Sequence, residues 1–344
     1  MKLAYIGAGR IVTEALYATA ELKQIEKKAI FELTAFKERA EALAAEYGIE
    51  KVYTDYDELL RETEADTVYI GLINSCHYEY SKKALLAGKN VILEKPFTVF
   101  YDEAEELITL AREKGLFILE AITVLHNDVF EEMKKNLEKL GPVRAMLCNY
   151  SQYSSKYDNY LKGIVDPFFD LEQQGGTLGD INVYNIHYCA GLFGRPESVT
   201  YFPNRGFNGA DTSGFAVLSY NGFSCVCLGA KDSDGPCFVS VQGETGWMKV
   251  EGKPNIADNL TTVFTTPGCT ETVLDAAGSK VRKSETLVYA SPEKRHRMTQ
   301  EFADFARIMD TKDRETADAL MNETLDVVWI LNKTRESAGI VFQR

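Results

Sequence analysis

The sequence predicts an α/β protein: an N-terminal Rossmann domain with a doubly wound parallel sheet, then a C-terminal α+β domain built on a large, mostly antiparallel sheet. Three observations predict it. Through about residue 121, short apolar runs alternate with helical patterns, the order of a parallel sheet wrapped by crossover helices. The first of those runs leads into a glycine turn and a helix start, Gly7-Ala8-Gly9-Arg10-Ile11-Val12. After about residue 140 the runs lengthen and are joined by Gly, Asn and Asp turns, which favours antiparallel pairing.

In the first half, strands are expected at 3–6, 31–36, 67–72, 90–93 and 116–120. Helices fill the gaps. In 102–114, for instance, Ala104, Leu107, Ile108 and Ala111 recur along one face, while Gly88 and Gly115 mark helix stops. The second half is expected to form strands at 143–150, 215–220, 223–229 and 238–242, with one helix near 180–192. Two amphipathic helices close the chain, with Met298, Phe302, Phe305 and Met309, then Met321, Leu325, Val328 and Trp329, as their buried stripes. The implied division is 1–121 for dinucleotide binding and 122–344 for substrate binding and oligomerisation. In 215–220 and 223–229 apolar residues occupy both alternating sets, so helices on one face leave the other apolar. A homo-oligomer, dimer or tetramer, joined through that open face is the expectation.

Composition narrows the function classes. With 344 residues, 45% hydrophobic and 26% charged, the chain has ordinary globular make-up and room for two cores. Acidic residues outnumber basic ones by 51 to 38, giving a net charge of −13 that repels polyanions, so no nucleic-acid partner is expected. Neither a signal core nor a membrane span is expected, because runs such as 327–331 are far too short. The seven cysteines lack CxxC or paired spacing and read as reduced thiols of a cytoplasmic protein. The four histidines, His77, His126, His187 and His296, are scattered without ligand spacing, so no metal is expected.

The glycine turn points to a dinucleotide. Gly7 permits the tight turn, and Gly9 lets backbone amides of Arg10 and Ile11 approach a pyrophosphate at the helix's positive end. The third position, usually Gly or Ala for close helix–strand packing, is Val12. With the second strand drawn to Phe36, the ribose ligands fall on Lys37, Glu38 and Arg39. Glu38 suits the 2′-hydroxyl of NAD, and Lys37 or Arg39 the 2′-phosphate of NADP, with the lean to NADP.

The strand at 90–93 ends in Glu94-Lys95-Pro96-Phe97, which sets a lysine at the carboxyl end of a parallel strand, where open α/β sheets bind ligands. Pro96 keeps Lys95 out of helical geometry. These motifs, with Asn74-Ser75-Cys76-His77 and Ala84-Leu85-Leu86-Ala87-Gly88-Lys89, resemble the Gfo/Idh/MocA family, named for glucose–fructose oxidoreductase, inositol dehydrogenase and a rhizopine catabolism protein. The resemblance implies that Lys95 lies by the nicotinamide and the substrate hydroxyl, with Glu94, Asn74 and His77 near the cofactor. It extends to a Gly-Gly-x-x-x-Asp element, met here as Gly175, Gly176, Asp180, Tyr184 and His187. By resemblance Tyr184 is the acid–base or orienting group, Asp180 positions its neighbours, and His187 stands where the family has an Asp. The family's Pro before Asn74 is Ile73 here, and the Arg that often follows the strand ending at Glu120 is missing.

Steps of four and three set Asp180, Tyr184 and His187 on one helix face, able to converge on one ligand. The resemblance implies that their role next to Lys95 is alcohol oxidation or carbonyl reduction on a sugar, inositol-like polyol or diol. An ordinary lysine, with a pKa of ~10.4, is protonated at neutral pH, and a nearby oxidised nicotinamide would draw it down to a usable base. Two alternatives stand beside this reading: a dihydrodiol-dehydrogenase-like reductase, and a cofactor-binding sensor of the same fold without turnover.

Overall fold

The computed structural model describes residues 1–266, 268–292 and 295–343. Among them, six strands form an all-parallel sheet: β1 (Lys2–Ile6), β2 (Glu26–Phe31), β3 (Lys51–Tyr53), β4 (Thr67–Ile70), β5 (Asn90–Glu94) and β6 (Ile118–Ala121). Their order is β3-β2-β1-β4-β5-β6. The chain winds outward both ways from β1 and β4, and the crevice at their carboxyl ends is where such sheets take ligands. The crossovers carry α1 (Arg10–Ala18), α2 (Lys37–Tyr47), α3 (Tyr56–Glu62), α4 (His77–Leu86) and α5 (Tyr101–Glu113).

One expected strand is misplaced. The strand drawn at 31–36 is β2, which ends at Phe31, while Thr34–Phe36 is a 3-10 turn with Leu33 and Phe36 about half exposed. The reason lies in β2's composition. Its first half is charged, and only Ala29, Ile30 and Phe31 are buried between β1 and β3. Lys28, in the first half of β2, is paired with Glu26, Glu50 and Glu64 at 3.3, 2.6 and 3.6 Å.

The second sheet runs β16-β13-β12-β11-β7-β10-β9-β8 among the described residues. Its members are β7 (Val143–Ser151), β8 (Ser198–Arg205), β9 (Asp211–Tyr220), β10 (Phe223–Ala230), β11 (Phe238–Gly243), β12 (Gly246–Glu251), β13 (Asn259–Phe264) and β16 (Glu285–Ala290). A small exposed hairpin, β14 (Thr272–Leu274) and β15 (Lys280–Arg282), hangs from it. Every pairing in the large sheet is antiparallel except β7 with β10.

Alternation divides the two faces of this sheet. Met146, Cys148, Leu218, Cys225, Cys227, Val239, Val241, Met248 and Val250 are buried, sharing a core with Val183, Ile186 and Ala190 of one helix. Among the described residues the remaining α-helices are α6 (Asp128–Asn136), α7 (Tyr157–Tyr160), α8 (Val183–Phe193), α9 (Thr299–Thr311) and α10 (Arg314–Ala338). The two closing helices bury most of their expected stripes, though not all in one place, and leave Leu325 and Trp329 only partly buried. Met298, Phe302, Phe305 and Met309 join the core of the first sheet, while α10 gives Met321 and Val328 to that core and Val327, Ile330 and Leu331 to the second. No helix of the described residues is long and apolar enough to cross a membrane.

Candidate active site

The glycine turn sits at the tip of β1. Gly7 has φ +105°, and a Cβ there would lie 2.9 Å from the carbonyl oxygen of Gly71, so only glycine fits. A Cβ on Gly9 would meet nothing within 4 Å, which leaves the backbone open to a phosphate group. The first turn of α1 has neither a side-chain cap nor an acidic residue, so its amides stay available for an anion. Arg10 is exposed and pairs with Glu14 at 3.0 Å, and Ile11 is half buried. The close approach usually granted by a third glycine is granted from the opposite side. A Cβ on Gly71 would lie 2.6 Å from Val12 Cγ2 and 3.1 Å from Ile11 Cγ2.

With β2 ending at Phe31, the acid at its tip is Glu32, which the sequence reading did not single out. Its Oε2 accepts from the Ala8 amide at 2.9 Å and its Oε1 from the Leu33 amide at 2.9 Å, so it underlies the glycine turn. Lys37 is half exposed at the start of α2 and pairs with Glu41 at 2.8 Å. Glu38 and Arg39 are exposed on the same turn. These residues fit a dinucleotide, with an open glycine cradle and a carboxylate where the ribose ligand belongs.

At the carboxyl end of β5, Lys95 meets the helix of the second half. Its Nζ donates to the Asp180 carbonyl at 2.7 Å and to Asp180 Oδ1 at 3.1 Å, and it lies 5.2 Å from the centre of the Tyr184 ring. Asp180 Oδ2 accepts from a second ammonium, that of Lys231, which follows β10. Lys231 is itself buried and stands over the rings of Phe168 and Phe169, at 4.5 and 5.1 Å. Burial works against charge on Asp180, yet the two lysines outweigh it and hold the carboxyl well below its ordinary range. Burial likewise disfavours the Lys95 ammonium, but the neighbouring Asp180 and Glu94 prevail and raise its pKa. The Tyr184 hydroxyl is pushed up by burial and stays protonated at neutral pH.

Local packing explains the double glycine that precedes Asp180. A Cβ on Gly175 would lie 2.3 Å from the Pro167 carbonyl oxygen, and one on Gly176, at φ +142°, would lie 2.2 Å from Asp211 Oδ1. Asp211 in turn accepts from the Leu178 amide and the Tyr201 hydroxyl, each at 2.7 Å, and so pins the helix start. The helix opens with a π-turn, Leu178–Asn182, before continuing as α8. Widened turns of this kind recur at functional sites.

The other expected site residues are placed differently. Glu94 is buried behind Lys95, where Tyr69 donates to it at 2.7 Å. Asn74 donates to the Gln174 carbonyl at 3.0 Å, tying the loop after β4 to the loop before the double glycine. His77 lies inside the protein: Nδ1 is 2.9 Å from the Pro96 carbonyl and Nε2 3.1 Å from that of Leu72, and burial lowers its pKa. It joins the loops after β4 and β5 from beneath. His187 does not converge with Asp180 and Tyr184. It is fully enclosed, with Nε2 3.4 Å from Glu120 Oε2 and Nδ1 3.7 Å from Glu323 Oε1. The spacing did not reveal the depth, since seven residues carry His187 roughly 10 Å along the axis from Asp180, into the core. Residues missed altogether were Glu32, Gly71, Lys231 and Tyr150, whose ring centre is 5.8 Å from that of Tyr184. Three buried cysteines from separate elements, Cys148, Cys189 and Cys227, also bring their sulfurs within 4.8 Å of one another, a grouping that linear spacing does not reveal.

Comparison with known proteins points to the same fold. A family model described as an oxidoreductase family with a NAD-binding Rossmann fold matches residues 1–121, and the GFO/IDH/MocA C-terminal domain matches 130–249. The scyllo-inositol 2-dehydrogenase (NADP(+)) IolU of Bacillus subtilis is 30% identical over 342 residues, covering 99% of this chain and 98% of that protein. A trans-1,2-dihydrobenzene-1,2-diol dehydrogenase of Sus scrofa is 27% identical, covering 71% and 72%. Among solved structures, the 3-ketoreductase KijD10 of Actinomadura kijaniata, in complex with NADP and TDP-benzene, matches with TM-score 0.80 at 20% identity, covering 98% and 97%.

Proposed function

Since the chain belongs to the GFO/IDH/MocA oxidoreductase family, we propose that it interconverts a CH–OH group and a carbonyl on a six-membered ring with neighbouring hydroxyls, using Lys95 as the proton-transfer group. The curated relatives favour that substrate class, because scyllo-inositol and the dihydrobenzene diol are both six-membered carbocycles with adjacent hydroxyls. A sugar ring offers the same pattern. When bound, NAD(P) supplies the hydride acceptor or donor.

The observation that carries the proposal is the pairing of Lys95 with Asp180 beside Tyr184, at the carboxyl edge of the parallel sheet. Asp180, kept ionised by Lys231, fixes the Lys95 ammonium through both its carbonyl and its carboxylate. In the reductive direction the Lys95 ammonium gives a proton to the forming alkoxide; in the oxidative direction the ammonium must first lose its proton to solvent, helped by the positive charge of a bound oxidised nicotinamide, and the neutral amine then takes the proton of the hydroxyl. Tyr184, which remains protonated, orients the substrate oxygen by donating a hydrogen bond. Residues 1–121 hold the cofactor and 122–344 supply the substrate side in this reading.

NADP is the first cofactor reading, supported by the relative named for it and by the exposed Lys37 and Arg39. Glu32 favours NAD as the second, because a carboxylate at the tip of β2 suits a 2′-hydroxyl. We also place the protein in the cytoplasm as a homo-oligomer. Its seven cysteines are free, which suits a reducing compartment.

The test is Lys95→Met, assayed with both cofactors against inositols, aldoses and trans-diols. Fluorescence titration should show that reduced cofactor still binds, while turnover falls about 10²–10⁴-fold, the usual worth of a positioned proton-transfer group. Near-normal turnover would remove Lys95 from the mechanism. A wild type whose cofactor fluorescence responds to polyols without any redox change would instead be a sensor.

A further inference from the structure

Below Asp180 and Tyr184, helix α8 enters a second buried cluster that the proposed chemistry does not use. His187 stands between two carboxylates at ion-pair distance, Glu120 at 3.4 Å and Glu323 at 3.7 Å, with neither ring nitrogen in hydrogen-bond geometry. Glu120 reaches further. Its Oε1 accepts from the Phe97 amide at 3.0 Å, two residues beyond Lys95, and its Oε2 from the Thr324 hydroxyl of α10 at 2.9 Å. Glu323 approaches His187 over Gly191, where a Cβ would lie 2.7 Å from Glu323 Oε1 and 2.5 Å from Phe130 Cζ.

We infer that His187 is a positioning residue: through Glu120 and Glu323 it locks α8, with its Asp180 and Tyr184, against the Lys95-Pro96-Phe97 turn. The inference rests on the proposed role of Lys95. His187 is fully enclosed, so it touches neither substrate nor cofactor, and its effect passes through Glu120 and the Phe97 amide. Interior charges fix geometry strongly, because removing one partner leaves the other uncompensated. Without a cation at position 187, the Glu120 and Glu323 carboxylates would be left facing each other across the core.

Among the described residues, the ionisable groups facing the ring are Glu120 from β6 and Glu323 from α10. Burial opposes charge on the imidazole, but these two carboxylates raise its pKa to about 9. A pKa above the ordinary ~6.5 means that the pairing stabilises the fold fully below about pH 6.5 and is lost as pH rises through about 9.

The test compares wild type, His187→Gln and Glu323→Gln. For His187→Gln, reduced-cofactor affinity should stay within about twofold and substrate KM within about threefold, while kcat falls at least about tenfold. The wild-type unfolding midpoint should drop between about pH 6.5 and 9, and that slope should vanish in His187→Gln. Glu323→Gln, at a less enclosed position, should lose kcat in the same sense but less, and it carries the test if His187→Gln does not fold. Values of kcat within about twofold of wild type in the folded variants would overturn the inference while leaving Lys95→Met to judge the reading of the site. Turnover that survives Lys95→Met would remove both.

Discussion

Glu32 shows how one carboxylate can set cofactor choice. It sits at the tip of β2 with both oxygens on backbone amides, and 92% of its surface is covered, since it is 8% exposed. A 2′-phosphate arriving there meets a negative charge, whereas a 2′-hydroxyl meets an acceptor. Exposed Lys37 and Arg39 supply the opposite bias one turn away. Glu32→Gln should therefore shift the ratio of kcat/KM for NADP over NAD upward by about tenfold, the worth of roughly 1.4 kcal/mol. Steady-state kinetics with both cofactors at fixed substrate decide it. An unchanged ratio would mean that the ribose lies elsewhere and that Glu32 only braces the glycine turn. Lys231 illustrates a different limit of sequence reading. No spacing rule links residue 231 to residue 180, yet their side chains pair in the fold, so the second ammonium of the site came only from the structure.

At the scale of elements, strands with one continuous apolar run were legible and divided ones were not. Leu3–Ile6 and Val91–Leu93 are buried on both faces and stood out, whereas β2 joins a charged half to a buried half, and its apolar neighbours Leu33 and Phe36 drew the boundary too late. That slip hid Glu32. The Lys95 motif and the Asp180 helix were legible because they are short and local; the depth of His187 was not, because it depends on where β6 and α10 pack. The incomplete glycine fingerprint has a similar explanation, and it can be tested. Val12 fills the space that the missing glycine would leave, and Gly71 makes room for it. Gly71→Ala should cost about 1–3 kcal/mol of stability through overpacking and weaken cofactor binding by tilting α1. Val12→Ala in the same chain should restore much of both, so denaturant unfolding of the two single variants and the double variant should not be additive. Strict additivity would show that α1 and the β4 tip do not share this contact.

For the whole molecule, the open face of the large sheet is the unresolved surface in the chain's energetics. Phe202, Phe215 and Leu228 align across β8, β9 and β10, and Val217, Val226 and Leu147 align across β9, β10 and β7. Phe202 at 60%, Phe215 at 45% and Leu147 at 39% exposure make this an apolar stripe facing water in the single chain. Contiguous patches of that kind usually mark an interface. Two chains each carrying −13 repel, so an apolar contact between them should tighten as salt screens that repulsion. Sedimentation at micromolar concentration should give two or four times the chain mass, with association stronger at 0.5 M salt, ~4 Å screening length, than at 0.05 M, ~14 Å. The double variant Leu147→Glu, Phe215→Glu should sediment as one chain. Both side chains are already partly exposed in the single chain, so the substitutions should leave circular dichroism unchanged and separate loss of assembly from loss of fold. A wild-type monomer at both salt concentrations would mean that the stripe is tolerated in water and that the site on each chain is complete without a partner.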